Sequence, residues 1–149
     1  MAIRILLVDD SDQFRTLVSE LLNERAPDMQ VVGEASDGNA AIQLAQALKP
    51  DLVSMDVKMP KTDGVTATSR IVALIPSVKV LALSLHRRPD RIQAMIDAGA
   101  SGYVSKEDAY EELLPAIRAV AEGENYFSES LPPPFGTGDG DDDGDPDDQ

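Results

Sequence analysis

Short apolar segments alternate with segments of helical periodicity between residues 3 and 123 of the chain. Five short apolar runs are typical of strands that are buried on both faces of a sheet. These runs cover residues 3–8, 31–35, 52–55, 78–83 and 101–104. After each run, apolar residues recur at intervals of three and four, which is the spacing of one face of a helix. The pattern therefore predicts five strands, each followed by a helix.

Cap and breaker residues indicate where these helices begin and end. Ser11 and Asp37 stand where N-cap residues are expected, just before the first and second helical patterns. Pro27 and Pro76 follow the first and third helical patterns and end them. Pro115 lies inside the last helical pattern. Because proline lacks a backbone N–H, the start of that helix stays open at this stage.

The alternation of strands and helices predicts an α/β domain with a parallel sheet. Right-handed crossovers would place helices on both faces, which gives a doubly wound five-stranded sheet. The 149 residues suffice for one domain. We predict that this domain covers residues 1–124. Residues 125–149 are predicted to be a linker or tail, with a stiff proline-rich spacer at 132–134 and a disordered Gly/Asp-rich stretch after it.

Composition excludes several classes of function. The formal net charge is −14, and half of it comes from seven aspartates in residues 136–149. The electrostatic field of this negative charge repels phosphate backbones, which argues against nucleic-acid binding by this chain alone. The absence of cysteine excludes disulfides, thiolate nucleophiles and cysteine-based zinc sites, and the single His86 excludes a multi-histidine metal site. No apolar run approaches the length of a membrane span, so we expect a cytoplasmic protein with no membrane partner.

Polar side chains follow four of the predicted strands. Asp9 and Asp10 follow the first strand, Asp56 the third, Ser84 the fourth and Lys106 the fifth. Ligands of doubly wound sheets bind at the carboxyl ends of the strands. If the first and third strands are neighbours, three carboxylates converge, and two of them about 4 Å apart repel by roughly 4 kcal/mol at an effective dielectric constant of 20. Such a cluster needs a cation, and an all-oxygen site suits Mg²⁺.

An aspartate beside a divalent metal and a lysine is equipped to attack a phosphoryl group. Four motifs around these residues, in this order, resemble the receiver domain of two-component response regulators over about residues 2–124. The motifs are Val8-Asp9-Asp10, Met55-Asp56-Val57-Lys58-Met59-Pro60 with Asp63-Gly64, Leu83-Ser84, and Gly102-Tyr103-Val104-Ser105-Lys106. Glu107, after the lysine, is typical of the NarL/FixJ-like subfamily.

The resemblance implies a flavodoxin-like receiver fold with strand order 2-1-3-4-5. It implies that Asp56 is the phosphoacceptor. Asp10, Asp56 and the backbone carbonyl of Lys58 would then ligate Mg²⁺, with help from Asp9.

The resemblance also assigns roles to three further residues. Lys106 would pair with the phosphoryl group, Ser84 would be the switch hydroxyl, and Tyr103 the switch aromatic that turns inward on phosphorylation. The sequence departs from the family at Leu85, where a smaller residue is commoner. A bulky side chain there would narrow access to the site, and the rate of dephosphorylation is therefore open.

The resemblance further implies the partners. A sensor histidine kinase would supply the phosphoryl group, and phosphorylation would switch a protein-interaction surface and promote a homodimer. The domain would be a switch that catalyses its own phosphotransfer and slow dephosphorylation, not an enzyme acting on a substrate. Control of transcription would require a C-terminal helix-turn-helix output domain, which these residues lack, and DNA would be contacted only through it. The linker favours a chain cut before such a domain over a natural single-domain receiver.

Other classes of protein fit the residues less well. A stand-alone receiver would act by protein–protein interaction. An aspartyl-nucleophile phosphatase of the haloacid dehalogenase type would need a D-x-D motif after the first strand, whereas Asp9 and Asp10 are adjacent. A scaffold that works without phosphorylation would not need an intact acidic site.

Overall fold

The computed structural model of the chain describes residues 2–138. Its strands are β1 (Ile3–Val8), β2 (Met29–Ala35), β3 (Leu52–Met55), β4 (Lys79–Ser84), β5 (Gly102–Ser105) and β6 (Tyr126–Phe127). Its α-helices are α1 (Asp12–Arg25), α2 (Gly38–Leu48), α3 (Gly64–Leu74), α4 (Pro89–Ala98) and α5 (Ala109–Ala121), and a short 3₁₀ turn (Lys106–Asp108) precedes α5. Between residues 2 and 138, no helix is long and apolar enough to cross a bilayer.

All strand pairs are parallel, and the strand order is β2-β1-β3-β4-β5-β6. The predicted α/β class and the predicted order of the first five strands are confirmed. The predicted number of strands is wrong, because the sheet formed by residues 2–138 has six. β6 pairs Tyr126 with Gly102 and Phe127 with Tyr103. A strand of two residues is too short to show the apolar run by which the other strands were found.

Side-chain caps fix the start of three helices at the carboxyl end of the sheet. The side chains of Ser11, Asp37 and Asp63 accept hydrogen bonds from backbone N–H groups in the first turns of α1, α2 and α3. The prediction for Ser11 and Asp37 is therefore confirmed. Helix α5 includes Pro115 in its interior. Its apolar face keeps it helical there, since Leu113 and Ile117 are fully buried on either side of the proline.

The sheet has an apolar core on each face, which explains why its strands read as apolar runs. On one face, β-strand side chains pack with residues of α2, α3 and α4, among them Ile71 and Ile92. On the other face they pack with α1 and α5, among them Leu22 and Ile117. Two packed layers hold the central strands, so the residues at their carboxyl ends are attached to a rigid frame.

The segment after α5 lies against the domain over residues 126–138. Leu131 is fully buried, and the rings of Phe127 and Phe135 pack with their centroids 6.0 Å apart. The backbone N–H of Thr137 donates to the carbonyl oxygen of Glu129 at 2.8 Å. Residues that the sequence assigned to a linker thus have fixed tertiary contacts here. The remainder of the predicted tail, residues 139–149, lies outside the described residues, and the boundary at residue 124 stays a prediction.

Candidate functional site

Three carboxylates meet where β1 and β3 end. Asp9 directly follows β1 and Asp56 directly follows β3, and the backbone N–H of Asp56 donates to the carbonyl oxygen of Val8 at 3.0 Å. One carboxylate oxygen each from Asp9, Asp10 and Asp56 lies within 4.8 Å of the others. Asp9 and Asp56 are buried, whereas Asp10 is exposed to solvent. The structure therefore brings together the three acids that the strand ends predicted.

Lys106 faces two of these acids from the end of β5. Its Nζ lies 2.6 Å from Oδ2 of Asp9 and 3.4 Å from Oδ2 of Asp56. The ammonium group also lies 4.5 Å from the centre of the Phe14 ring, which covers it on one side. Three carboxylates and one ammonium leave two negative charges at a partly buried, oxygen-lined site. This donor set fits one hard divalent cation such as Mg²⁺.

Burial raises the pKa of the Asp56 carboxyl to about 6. The Lys106 ammonium lowers this pKa, and the negative charge of Asp9 raises it further. The backbone N–H of Val57 donates to Oδ1 of Asp56 at 2.8 Å and favours the ionised form. In the metal-free protein, burial and the neighbouring carboxylates therefore destabilise the ionised form of Asp56. A bound cation would stabilise that form.

The contribution of Asp56 to the stability of the metal-free protein is expected to fall as pH rises from about 4 to about 6. The folded state keeps the Asp56 proton up to a pKa of about 6, whereas the unfolded chain releases it near 3.9, so the folded state binds more protons in this window. Asp56→Asn removes this titration. In urea unfolding with a chelator, the variant is expected to gain up to about 3 kcal/mol over the wild type between pH 4 and pH 7.

A control variant and the addition of Mg²⁺ test whether the pH dependence belongs to Asp56. Asp97→Asn makes the same chemical change on the exposed side of α4 and is expected to keep the wild-type pH dependence, because it retains Asp56. Mg²⁺ added at pH 7.5 is expected to stabilise the wild type and to have little effect on Asp56→Asn. A difference between Asp56→Asn and the wild type that is constant across the pH range would contradict the assignment of the raised pKa to Asp56.

Ser84 and Tyr103 are connected through the backbone of the loop after β4. Both side chains are fully buried. The Ser84 Oγ accepts a hydrogen bond from the backbone N–H of His86 at 3.1 Å, and the Tyr103 hydroxyl donates to the backbone carbonyl of His86 at 2.6 Å. The Tyr103 side chain lies in the apolar core in this structure, and its inward turn on phosphorylation stays a prediction. Sequence reasoning missed the part played by His86 because backbone atoms carry it.

The loop from β3 to α3 folds tightly beside Asp56. The backbone N–H of Gly64 donates to the carbonyl oxygen of Val57 at 2.7 Å. A Cβ atom on Gly64 would lie 1.9 Å from the carbonyl oxygen of Asp56, so this close approach requires glycine. Lys58 belongs to this loop. The role of its carbonyl as a metal ligand stays a prediction, as do the roles of Ser84 and Tyr103 in switching.

Fold and site together define a class of protein: a doubly wound α/β domain with an acidic, lysine-containing site at the carboxyl ends of its strands. The family model of the response regulator receiver domain matches residues 5–118. The chain belongs to this family. Receiver domains are signalling switches of two-component systems that take phosphoryl groups from histidine kinases and bind Mg²⁺ in an acidic pocket.

Curated relatives include a transcriptional regulatory protein and a response regulator. The chain is 38% identical over 125 residues to the transcriptional regulatory protein DegU of Brevibacillus brevis, covering 84% of this chain and 52% of that protein. It is 38% identical over 129 residues to the response regulator GacA of Pseudomonas aeruginosa, covering 87% of this chain and 60% of that protein. The chain thus spans between half and three fifths of the length of these relatives.

Solved structures show the same fold. A two-component response regulator of the LuxR family from Aurantimonas sp. SI85-9A1 has a TM-score of 0.79 at 35% identity, with 85% of this chain and 89% of that chain covered. The isolated receiver domain of RcsB from Salmonella enterica serovar Typhimurium, in the presence of the phosphomimetic BeF₃⁻, has a TM-score of 0.81 at 26% identity, with 88% and 96% covered. The predicted resemblance to receiver domains of the NarL/FixJ-like subfamily is confirmed, because the related proteins are LuxR/NarL-family regulators.

Proposed function

We propose that this chain is a phosphorylation switch that accepts a phosphoryl group on Asp56 from a partner histidine kinase. One observation carries the proposal. Asp56 is a buried carboxylate within 4.8 Å of two other carboxylates and 3.4 Å from the Lys106 ammonium. No ordinary turn acid requires such an arrangement, whereas phosphoryl transfer to a carboxylate uses each part of it.

The residues divide the chemistry among themselves. A carboxylate oxygen of Asp56 attacks phosphorus as the bond from phosphorus to the donor's histidine nitrogen breaks. Lys106 neutralises negative charge on the transferred group, and the Ser84 hydroxyl donates to one of its oxygens. Asp10, Asp56 and the carbonyl of Lys58 would hold Mg²⁺, with help from Asp9. The metal, when bound, supplies further charge neutralisation to the phosphoryl oxygens.

Phosphorylation places about −1.5 to −2 charge at the carboxyl ends of the strands. If the Ser84 Oγ turns toward the new oxygens, it gives up the hydrogen bond from the backbone N–H of His86. The His86 carbonyl holds the Tyr103 hydroxyl, so the change passes to β5. The surface built by α4, β5 and α5 then changes shape and presents a binding face.

The proposed output is control of transcription through a DNA-binding domain outside these residues, with a homodimer formed on phosphorylation. The curated relatives named above support this, as does a solved structure of two RcsB dimers bound to two parallel DNAs, at 26% identity and a TM-score of 0.80. The negative charge of this chain is consistent with contacts to DNA being made by another domain.

Intact mass spectrometry tests the proposal. Wild-type protein incubated with Mg²⁺ and a small-molecule phosphodonor such as acetyl phosphate is expected to gain one phosphoryl group. The gain is expected to disappear when a chelator removes the metal. Absence of any gain with Mg²⁺ would refute the proposal, and sustained turnover of several phosphomonoesters would support an aspartyl phosphatase instead.

A further inference from the structure

Residues 126–138, called the strap below, are bonded to the outer edge of β5. The strap begins with β6, which pairs with Gly102 and Tyr103. The backbone N–H of Ser128 then donates to the Tyr103 carbonyl at 3.1 Å, and the backbone N–H of Ser105 donates to the Ser128 Oγ at 3.0 Å. Ser128 is fully buried. Besides the pairing of β6, one buried serine therefore bonds the strap to two residues of β5.

The rest of the strap folds back on itself and closes over the core. Leu131 is fully buried in the apolar cluster that also contains Tyr103 and the inner face of α4. The backbone N–H of Gly138 donates to the Leu131 carbonyl at 2.9 Å. A Cβ on Gly138 would lie 1.9 Å from the carbonyl oxygen of Ser130, so the turn is packed without spare space. The Ser130 hydroxyl also bonds to the Asp108 carboxylate, before α5.

A series of hydrogen bonds, linked through the covalent structure of His86 and Tyr103, connects Ser84 at the end of β4 to the strap. The series runs from the Ser84 Oγ to the His86 N–H, from the His86 carbonyl to the Tyr103 hydroxyl, and from the Tyr103 carbonyl to the Ser128 N–H. A second, shorter connection exists because Ser105, which donates to Ser128, directly precedes Lys106. A rearrangement of Ser84 or Lys106 around a phosphoryl group would therefore change the hydrogen-bonded neighbours of Ser128, which attaches the strap to β5.

We infer that the strap is a regulatory element whose attachment to β5 is coupled to the state of Asp56. A phosphoryl group on Asp56 draws the Ser84 hydroxyl and the Lys106 ammonium toward itself, which loosens the His86 and Ser105 ends of the series and releases Ser128. Coupling between two sites is reciprocal. A loosened strap must therefore favour binding at Asp56 by the same factor. This inference rests on the proposed function of Asp56.

Hydrogen–deuterium exchange of the full chain tests the coupling, with beryllium fluoride and Mg²⁺ as the probe of the phosphorylated state. In the wild type, the probe is expected to slow exchange in peptides that cover residues 56–60. It is expected to speed exchange in peptides that cover 126–138 by about fivefold or more. Ser128→Ala is expected to exchange fast over 126–138 without the probe and to bind the probe about fivefold more tightly than the wild type.

The matched control is Ser77→Ala, at an exposed position in the turn before β4, which is expected to behave as the wild type in both measurements. Phe135→Ala removes the ring contact with Phe127 and thereby loosens the strap from its other end. It is expected to show the same faster exchange over 126–138 and the same tighter probe binding, and it replaces Ser128→Ala if that variant does not fold. Protection at 56–60 with unchanged exchange at 126–138 would overturn the inference and leave the proposed function standing. No protection at 56–60 would overturn the proposed function, and the inference with it.

Discussion

Asp56→Asn is expected to reduce phosphoryl gain from complete to undetectable under conditions that fully modify the wild type. Asparagine keeps the size of the side chain and can still accept the hydrogen bond from Val57, but its amide oxygen is not a nucleophile. The variant is also expected to be at least as stable as the wild type at neutral pH without metal, since it removes a buried charge whose pKa is raised. Loss of activity would then be separated from loss of fold.

Two other aspartate substitutions serve as controls for Asp56→Asn. Asp97→Asn makes the same chemical change at an exposed position and is expected to gain one phosphoryl group at the wild-type rate. Asp10→Asn keeps the nucleophile and weakens the metal site, so it is expected to require more Mg²⁺ for the same rate. A full gain in Asp56→Asn would show another acceptor, and peptide mapping would then examine Asp9, the other buried carboxylate of the site.

Much of the fold and the centre of the site could be predicted from the sequence because both follow from strand ends. Apolar runs marked β1, β3 and β5, and parallel strands bring their carboxyl ends to one edge of the sheet. Asp9 and Asp56 immediately follow their runs and Lys106 comes two residues after its run, so their convergence required only the correct strand order. The distances of 2.6 and 3.4 Å from the Lys106 ammonium to the two carboxylates show that convergence directly.

The strap could not be predicted because its structure depends on contacts far along the chain. Tyr126 and Phe127 are too few to show a strand period, and Leu131 is a single apolar residue before three prolines. Proline-rich segments are typical of spacers. Burial of Leu131 instead comes from the core near α4. The role of His86 is hidden for a different reason: its hydrogen bonds to Ser84 and Tyr103 use backbone atoms, which every residue type provides.

Lys106→Met is expected to lower the rate of phosphoryl gain by about 100-fold or more. Methionine fills a similar volume, but it places no charge near the oxygens of the transferred group, and loss of one such group in a preorganised site typically costs a factor of 10² to 10³. The rate is measured by intact mass at saturating Mg²⁺. Lys79→Met, at the opposite end of the sheet where β4 begins, is the matched control and is expected to keep the wild-type rate.

Binding of Mg²⁺ is expected to change in the opposite direction in the same variant. Lys106 is a positive charge in contact with two carboxylates of the metal site, so its removal leaves three negative charges facing the cation in place of two. Lys106→Met is therefore expected to bind Mg²⁺ more tightly than the wild type and to accept the phosphoryl group more slowly. Thermal shift titrations with Mg²⁺ and rates of phosphoryl gain, measured side by side, test both expectations. A variant damaged in its fold would lose both properties together. A variant that gains the phosphoryl group slowly and has also lost Mg²⁺ binding would contradict a direct role for the ammonium in phosphoryl transfer. A rate of phosphoryl gain within twofold of the wild type would also contradict that role.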